Sequence, residues 1–403
     1  MKTLELKLTL LTILFFSLIS STKAQEKSPA HIGFFYPIST HGTQAENYSN
    51  NFSLHVLTGL SGGENGLAIY GLAGLVKGNM NGAQVSGLWN NVSGDVDGVQ
   101  VAGILNQSQD AAQALQVAGI TNLNQGDAAV QVSGIFNAAK NVQGGQFSGI
   151  TSLAADLDGI QVSGVSSIAD SVKGLQTSGI INIAEEIDGG QISGITNVAE
   201  NVNGMQISGI SNVAEQVDGV QISALINRAK SVKGLQLGLI NIADSSENTI
   251  GLINIIKNGD HRIGLSIDEN YNSFLTLRSG GKRVYGIFGL GSNFELDERR
   301  YGLEAGLGLG LAESRVFRLD VEIVSKYMTD FDCHDYSKSS FQLIPSLKVT
   351  NGIHLFAGPS LSYLHSYDSP LGESMGLTIW DDIWRDNYQA IMLGFTAGLN
   401  VRF

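Results

Sequence analysis

Few residues in this chain are spaced for chemistry. Gly59-Leu60-Ser61-Gly62-Gly63 has the form of a nucleophile elbow. That turn needs a strand before it and a helix after it, and no helical pattern follows. Asp330-Phe331-Asp332-Cys333-His334-Asp335 packs carboxylates, a thiol and an imidazole into one short stretch. Zinc or hard-cation ligation is chemistry such a set can do, but a solvated acidic loop is the preferred reading. Trp380-Asp381-Asp382-Ile383-Trp384 reads equally as a short helix, an interfacial aromatic anchor or a sugar-stacking platform. His41, His261, His354 and His365 share no ligand spacing. Gly306-Leu307-Gly308-Leu309-Gly310 lacks the third glycine of the nucleotide fingerprint. No acid, base and nucleophile converge. The expectation is therefore a protein that is not an enzyme, with no catalytic, cofactor-binding or metal residue and no cofactor.

The elements around these residues are more informative. The chain has 50 glycines, 5 prolines and one cysteine, with 15% charged and 43% hydrophobic residues. A single cysteine excludes an intramolecular disulfide. A net charge of −13 argues against nucleic acid and anionic headgroups as partners. Lys2 and Lys7, the apolar run Leu8 to Ile19 and the small residues before Gln25 read as a signal peptide over 1–24. No other stretch reads as a transmembrane helix, so any membrane insertion must be by strands.

The strongest signal is a tandem repeat. Gln131, Gln146, Gln161, Gln176, Gln191, Gln206, Gln221 and Gln236 recur every 15 residues, and Gln84, Gln100 and Gln116 precede them at a spacing of 16. Glycine follows three residues after most of them and asparagine six after. Gly204 to Asp218, GMQISGISNVAEQVD, is a good copy. Helical repeats need 30 or more residues, so the unit predicts a β-solenoid coil of two or three short strands. Ile207, Ile210, Val213, Val217 and Val220 can all point inward if corners absorb the parity changes. Gly204 and Gly209 then stand where φ is positive or no side chain fits. Stacked Gln and Asn predict amide ladders along the axis, with an exposed, glycan-binding amide surface as the alternative. A second architecture, one strand and turn per unit in an antiparallel barrel, also stays open.

After Gly259 the pattern changes to strict alternation. Ile391, Leu393, Phe395, Ala397, Leu399, Val401 and Phe403 alternate with polar or small residues, and Phe317, Leu319, Val321 and Ile323 alternate with Arg318, Asp320 and Glu322. Apolar outside and polar inside is how a membrane barrel strand reads. Eight strands are expected, near 261–268, 273–279, 282–293, 300–312, 316–328, 340–350, 353–365 and 388–403, with Tyr285, Tyr301, Tyr327, Tyr363 and Tyr388 as an aromatic girdle. A soluble sheet capping the solenoid is the competing reading.

Two resemblances follow from these residues. The terminal Leu399-Asn400-Val401-Arg402-Phe403 resembles the closing strand of outer-membrane proteins. The array from Gly66 to Gly259, with Gly-Leu-Gln-Leu-Gly-Leu-Ile-Asn-Ile at 234–242, resembles the bacterial surface repeat-containing proteins, most of unassigned function. This chain mostly carries Ser before the second Gly, where units of that family more often carry Ala or Gly. The resemblance covers about half of the chain and implies repeats outside the cell. An even strand count instead returns both barrel ends to the periplasmic side, and a strand near 52–59 could reverse that.

The expected architecture is all-β: an N-terminal leader over 25–65, a β-solenoid of about thirteen coils over 66–259, and an antiparallel β-barrel or sheet over 260–403. The expected function is a non-catalytic structural or adhesive protein, exported to the outer membrane or cell surface. Its partners would be outer-membrane lipid and, beyond that, a surface glycan or another envelope protein. The alternatives are a channel lined by Arg318, Asp320, Glu322, Lys348 and Arg402, and a carbohydrate-binding β-helix.

Overall fold

The structure, a computed structural model, describes residues 25–281, 283–293, 300–331, 335–350, 352–367, 374–384 and 387–403. The signal-peptide segment 1–24 lies outside them, as do Asp332, Cys333 and His334. The fold is all-β, with about fourteen solenoid turns followed by an eight-stranded barrel. Two units are distinguished, Met1–Gly126 and Asp127–Phe403.

The first unit holds the opening coils. Tyr48–Ser61 pairs in parallel with Gly63–Tyr70 and Ala73–Val76, and Met80–Ser86 pairs with Trp89–Ala102. The segment near 52–59 is thus a solenoid strand and not a membrane crossing, which explains why the turns outnumber the expected thirteen. His31–Phe35 lies in parallel along it.

In the second unit most coils have an eight-residue strand and a three-residue strand, such as Asn201–Ser208 and Ser211–Val213. The strands pair in parallel with their copies in the next coil, 15 residues on through most of the array, Gln206 with Gln221 and Asn212 with Asn227, and 13 or 14 on in the last coils. Parallel pairing excludes the antiparallel reading of the repeat. The cause is local. Gly204 has φ +134° and bends the long strand. A Cβ on Gly204 would strike the carbonyl oxygen of Gly189, and one on Gly209 that of Gly194.

The exposed corners at 209–210 and 215–216 decide what is inside. Gln206, Ser208, Asn212, Ala214 and Val217 are buried, whereas Ile210 is exposed and Ile207, Val213 and Val220 are half-buried. Of the five apolar residues expected inside, only Val217 is. Its counterparts Leu157, Val172, Ile187, Val202 and Val232 pack with alanines such as Ala199 and Ala229 into one thin apolar seam. The rest of the interior is polar, serine and amide side chains. Gln146, Gln161, Gln176, Gln191, Gln206, Gln221 and Gln236 each donate to the preceding glutamine at 2.8–2.9 Å. Asn182, Asn197, Asn212 and Asn227 each donate to the following asparagine at 2.9 Å. The amide ladders exist, and their burial removes the exposed amide surface.

The barrel strands are Asp260–Asp268, Asn272–Gly280, Val284–Asn293, Arg300–Glu313, Phe317–Thr329, Tyr336–Lys348, Ile353–Tyr367 and Asn387–Arg402. Each pairs antiparallel with the next, and the first closes on the last, Ile263 opposite Val401. A further strand, Leu377–Trp384, pairs with the upper half of the terminal strand. It occupies a segment expected to be a loop, because the adjacent Asp381 and Asp382 fall on opposite faces and interrupt any alternation.

Candidate functional site

The barrel separates polarity in the sense opposite to that of a soluble core. Alternate residues from Ile263 to Ile267, Ser273 to Leu277, Val284 to Leu290, Tyr301 to Leu309, Phe317 to Tyr327, Ser337 to Leu347, Ile353 to Tyr363 and Ile391 to Val401 stand on its outer face. None of them is charged. Tyr301, Tyr327, Tyr363 and Trp380 are exposed near the long-connection rim. Tyr285 is not among them: it is fully buried in the lumen, and Tyr388 is half-buried against an inner cluster.

The lumen instead holds buried cations, Arg262, Arg278, Arg318, Lys326 and Lys338, and buried carboxylates, Asp260, Asp268, Glu269, Glu304, Asp320 and Glu322. All but Glu304 join one of two networks. Near the short turns, Arg278 grips Glu322 through two bonds of 2.8 and 3.0 Å, and Tyr285 donates to the same carboxylate at 2.8 Å. Arg318 bridges Asp320 at 2.8 Å and Asp260 at 2.6 Å, and Arg262 reaches Asp320 at 3.1 Å. The Arg262 guanidinium lies 4.6 Å from the Tyr285 ring centre. Toward the other rim, Asp268 receives Lys326 at 2.8 Å and Lys338 at 3.1 Å, while Lys338 also pairs with Glu269 at 2.7 Å. The ions in these two networks stay buried only because opposite charges and hydrogen bonds surround them; among the described residues, Glu304 is buried without an ion pair or hydrogen bond. An eight-stranded barrel is narrow enough for side chains to fill, and these side chains fill it.

Of the residues proposed as a pore lining, Arg318, Asp320 and Glu322 meet in the lumen. Lys348 sits at the short-turn rim against Glu313, and Arg402 is half-exposed with Asp260 at 3.2 Å. His354 is buried in the lumen, and His261 lies near Phe403, with ring centres 5.9 Å apart. Ser61 is buried inside a solenoid coil, far from the exposed apex of a nucleophile elbow. Gly306 to Gly310 lie within a barrel strand. Trp380 to Trp384 form the added strand, not a helix.

A second constellation escaped the sequence reading. His31, His41 and His55 come together in the first unit, with ring centres 4.5 Å apart for His31 and His41 and 4.4 Å for His31 and His55. Tyr48 and Tyr70 stack on the outer two members. Beside them Glu64 is buried and accepts from Ser53 at 2.7 Å and Tyr70 at 3.1 Å. Burial first, then neighbouring histidines, lowers His31 to about 3 and His55 to about 4. Burial holds the Glu64 carboxyl above its usual range. Residues 24 apart in sequence offer no local spacing to find; parallel coil stacking is what joins them. Among the described residues no group of three or more His, Cys, Asp or Glu is disposed to hold a metal.

No family model matches this sequence, and no curated protein matches it.

Proposed function

We propose that this chain is an outer-membrane protein whose barrel is a plugged anchor and whose solenoid is a non-catalytic structural and interaction arm. The observation that carries this reading is the uncharged outer wall around an ion-filled lumen. In water that arrangement exposes apolar strands and buries charges for nothing. In a bilayer the same wall meets hydrocarbon, and every strand's backbone is paired around the closed sheet. The connections at the end bearing the solenoid are short, as periplasmic turns are, so the arm extends into the periplasm. This departs from the surface location implied by the family resemblance. The ionic plug makes the barrel an anchor and not a conduit.

Reconstitution tests the reading. Folded protein in phosphatidylcholine vesicles is expected to protect the barrel segment 260–403 from added protease and to migrate faster on a gel before boiling than after. A water-soluble monomer with the barrel segment cleaved in the presence of vesicles would overturn it. In a planar bilayer the protein is expected to give no stable conductance, and an ohmic channel would refute the plug.

A further inference from the structure

The exterior of the second unit's solenoid divides into two flanks. Numbered from each glutamine, the outward positions one before, and one, four, five and seven after, form columns that run from coil to coil. From the Gln131 coil to the Gln236 coil these columns contain a single charge, Arg228. The corner column alone reads Ile135, Ile150, Val165, Ile180, Ile195, Ile210, Leu225 and, in the Gln236 coil, which is one residue shorter after its glutamine, Leu239, each 36–44% exposed. The opposite flank collects the charges, such as Glu185, Glu200, Lys230 and Asp218. Eight coils at strand spacing make a stripe about 38 Å long. With its neighbouring columns it covers on the order of 600 Å², at the upper end for the largest apolar patch on a soluble monomer.

The end of the solenoid indicates what this flank meets. Its last coil does not sit over the barrel mouth. Asn254, the end of the asparagine ladder, donates from its backbone to Ser279 Oγ at 2.9 Å and from its side chain to the Ser279 carbonyl at 2.7 Å. Gly286 packs against the carbonyl oxygens of Gly251 and Leu252. Ser279 and Gly286 are outward-facing wall positions, so the coils leave the barrel from the outside of its wall, beside the uncharged belt. The column of corner residues ends there, at Leu252.

We propose that the apolar flank of the solenoid is a lipid-facing surface, resting on the inner leaflet of the membrane that holds the barrel. The inference rests on the membrane reading of the barrel. A lipid surface fits better than a second copy of the chain, because the column before the glutamines runs Val130, Gly145, Ile160, Leu175, Gly190, Met205. A dry interface between rods needs repeating shapes that interdigitate, whereas acyl chains conform to irregular ones. The acidic flank then faces water, as an interfacial amphipathic element requires.

Site-directed quenching tests this on the full chain. In a Cys333→Ser background, single cysteines replace Ile195 or Ile210 on the flank, Glu200 on the opposite flank, and Leu355 on the barrel wall. Each is labelled with a small environment-sensitive fluorophore in phosphatidylethanolamine–phosphatidylglycerol vesicles containing brominated lipid. Flank and wall labels are expected to be quenched at least threefold more than the Glu200 label. Quenching at Leu355 with none at Ile195 and Ile210 overturns the lipid-facing flank and leaves the barrel standing. Absence of quenching at Leu355 refutes the barrel itself. Self-quenching between flank labels that disappears on dilution with unlabelled protein assigns the flank to a second copy and also overturns the proposal.

Discussion

Gln206 sits in a line of amides, donating to Gln191 at 2.9 Å and accepting from Gln221 at 2.8 Å. Gln206→Ala removes both bonds and leaves two buried amide groups unpaired, so the cost is expected at about 1–3 kcal/mol. That exceeds the cost of one exposed hydrogen bond, and urea unfolding followed by circular dichroism measures it. Val217 is 2% exposed in the apolar seam. Val217→Asp buries a charge without a partner and is expected to cost several kcal/mol, whereas Glu185→Gln on the charged flank stays within about 0.5 kcal/mol. The histidine cluster gives a pH dependence with a definite sign. His31 and His55 are held neutral, at about 3 and about 4. The unfolded chain therefore binds more protons than the folded one below the ordinary histidine value near 6.5. Their contribution is complete above that value and is lost as pH falls toward 4 and 3. Amide exchange in 26–61 is expected to accelerate between pH 6.5 and 4, relative to the coils of 141–237. His55→Phe should flatten that dependence; an unchanged profile would assign it elsewhere.

At the scale of the element, the coil is the unit of tolerance. Parallel register places Gly189 against Gly174 and Gly204 against Gly189. Deleting Gly189 to Asn203 would set Gln206 on Gln176 and Gly204 on Gly174, with every ladder continuous. The shortened chain is expected to keep its strand content and unfold cooperatively. Deleting seven residues from the same place would set amides against valines and glycines against side chains, and aggregation or loss of strand signal is expected. Equal tolerance of both deletions would contradict the stacked-coil account. In the barrel the corresponding unit is the ion network. Glu322→Ala leaves the Arg278 guanidinium buried without its bidentate partner, which costs about 3–5 kcal/mol. A lowered temperature for loss of the compact gel form is the readout, and Glu322→Ala with undiminished resistance would show that the network does not hold the lumen closed.

For the molecule as a whole, the decisive relation in the second unit is between the solenoid and the rim it leaves from. That rim carries the short turns, while the strand Ile353–Tyr367 ends at the other rim. On the proposed outer-membrane reading, a protease site inserted between Glu215 and Gln216 is expected to be cut only after the outer membrane is permeabilised, and one within 368–373 in intact cells. Cleavage at Glu215 in intact cells would place the repeats outside, as the family resemblance implies.

The 15-residue period, the stacking of like on like and the alternation of the barrel strands were all legible in the sequence, because each is a local pattern repeated many times. Seven of the eight barrel strands were expected close to where they occur, since one face of each is uncharged. The sixth begins at Tyr336 and not near 340, where Ser337 and Ser339 on its outer face blur the apolar signal. Other features depended on relations that no local pattern contains. Which repeat positions face inward turned on where the corners fall: Val202, Gln206 and Ser208 share the inner face of one strand, the corner at 209–210 leaves Ile210 outside, and the corner at 215–216 shifts the inward parity to Val217. The place of Tyr285 turned on closure of the sheet, which makes alternation mean lumen against wall and not rim against core. His31, His41 and His55 met only through parallel stacking of distant segments. The seat of the last coil on Ser279 and Gly286 required both domains to be present, because a serine and a glycine on a strand's outer face show in sequence only as weak positions in an apolar row.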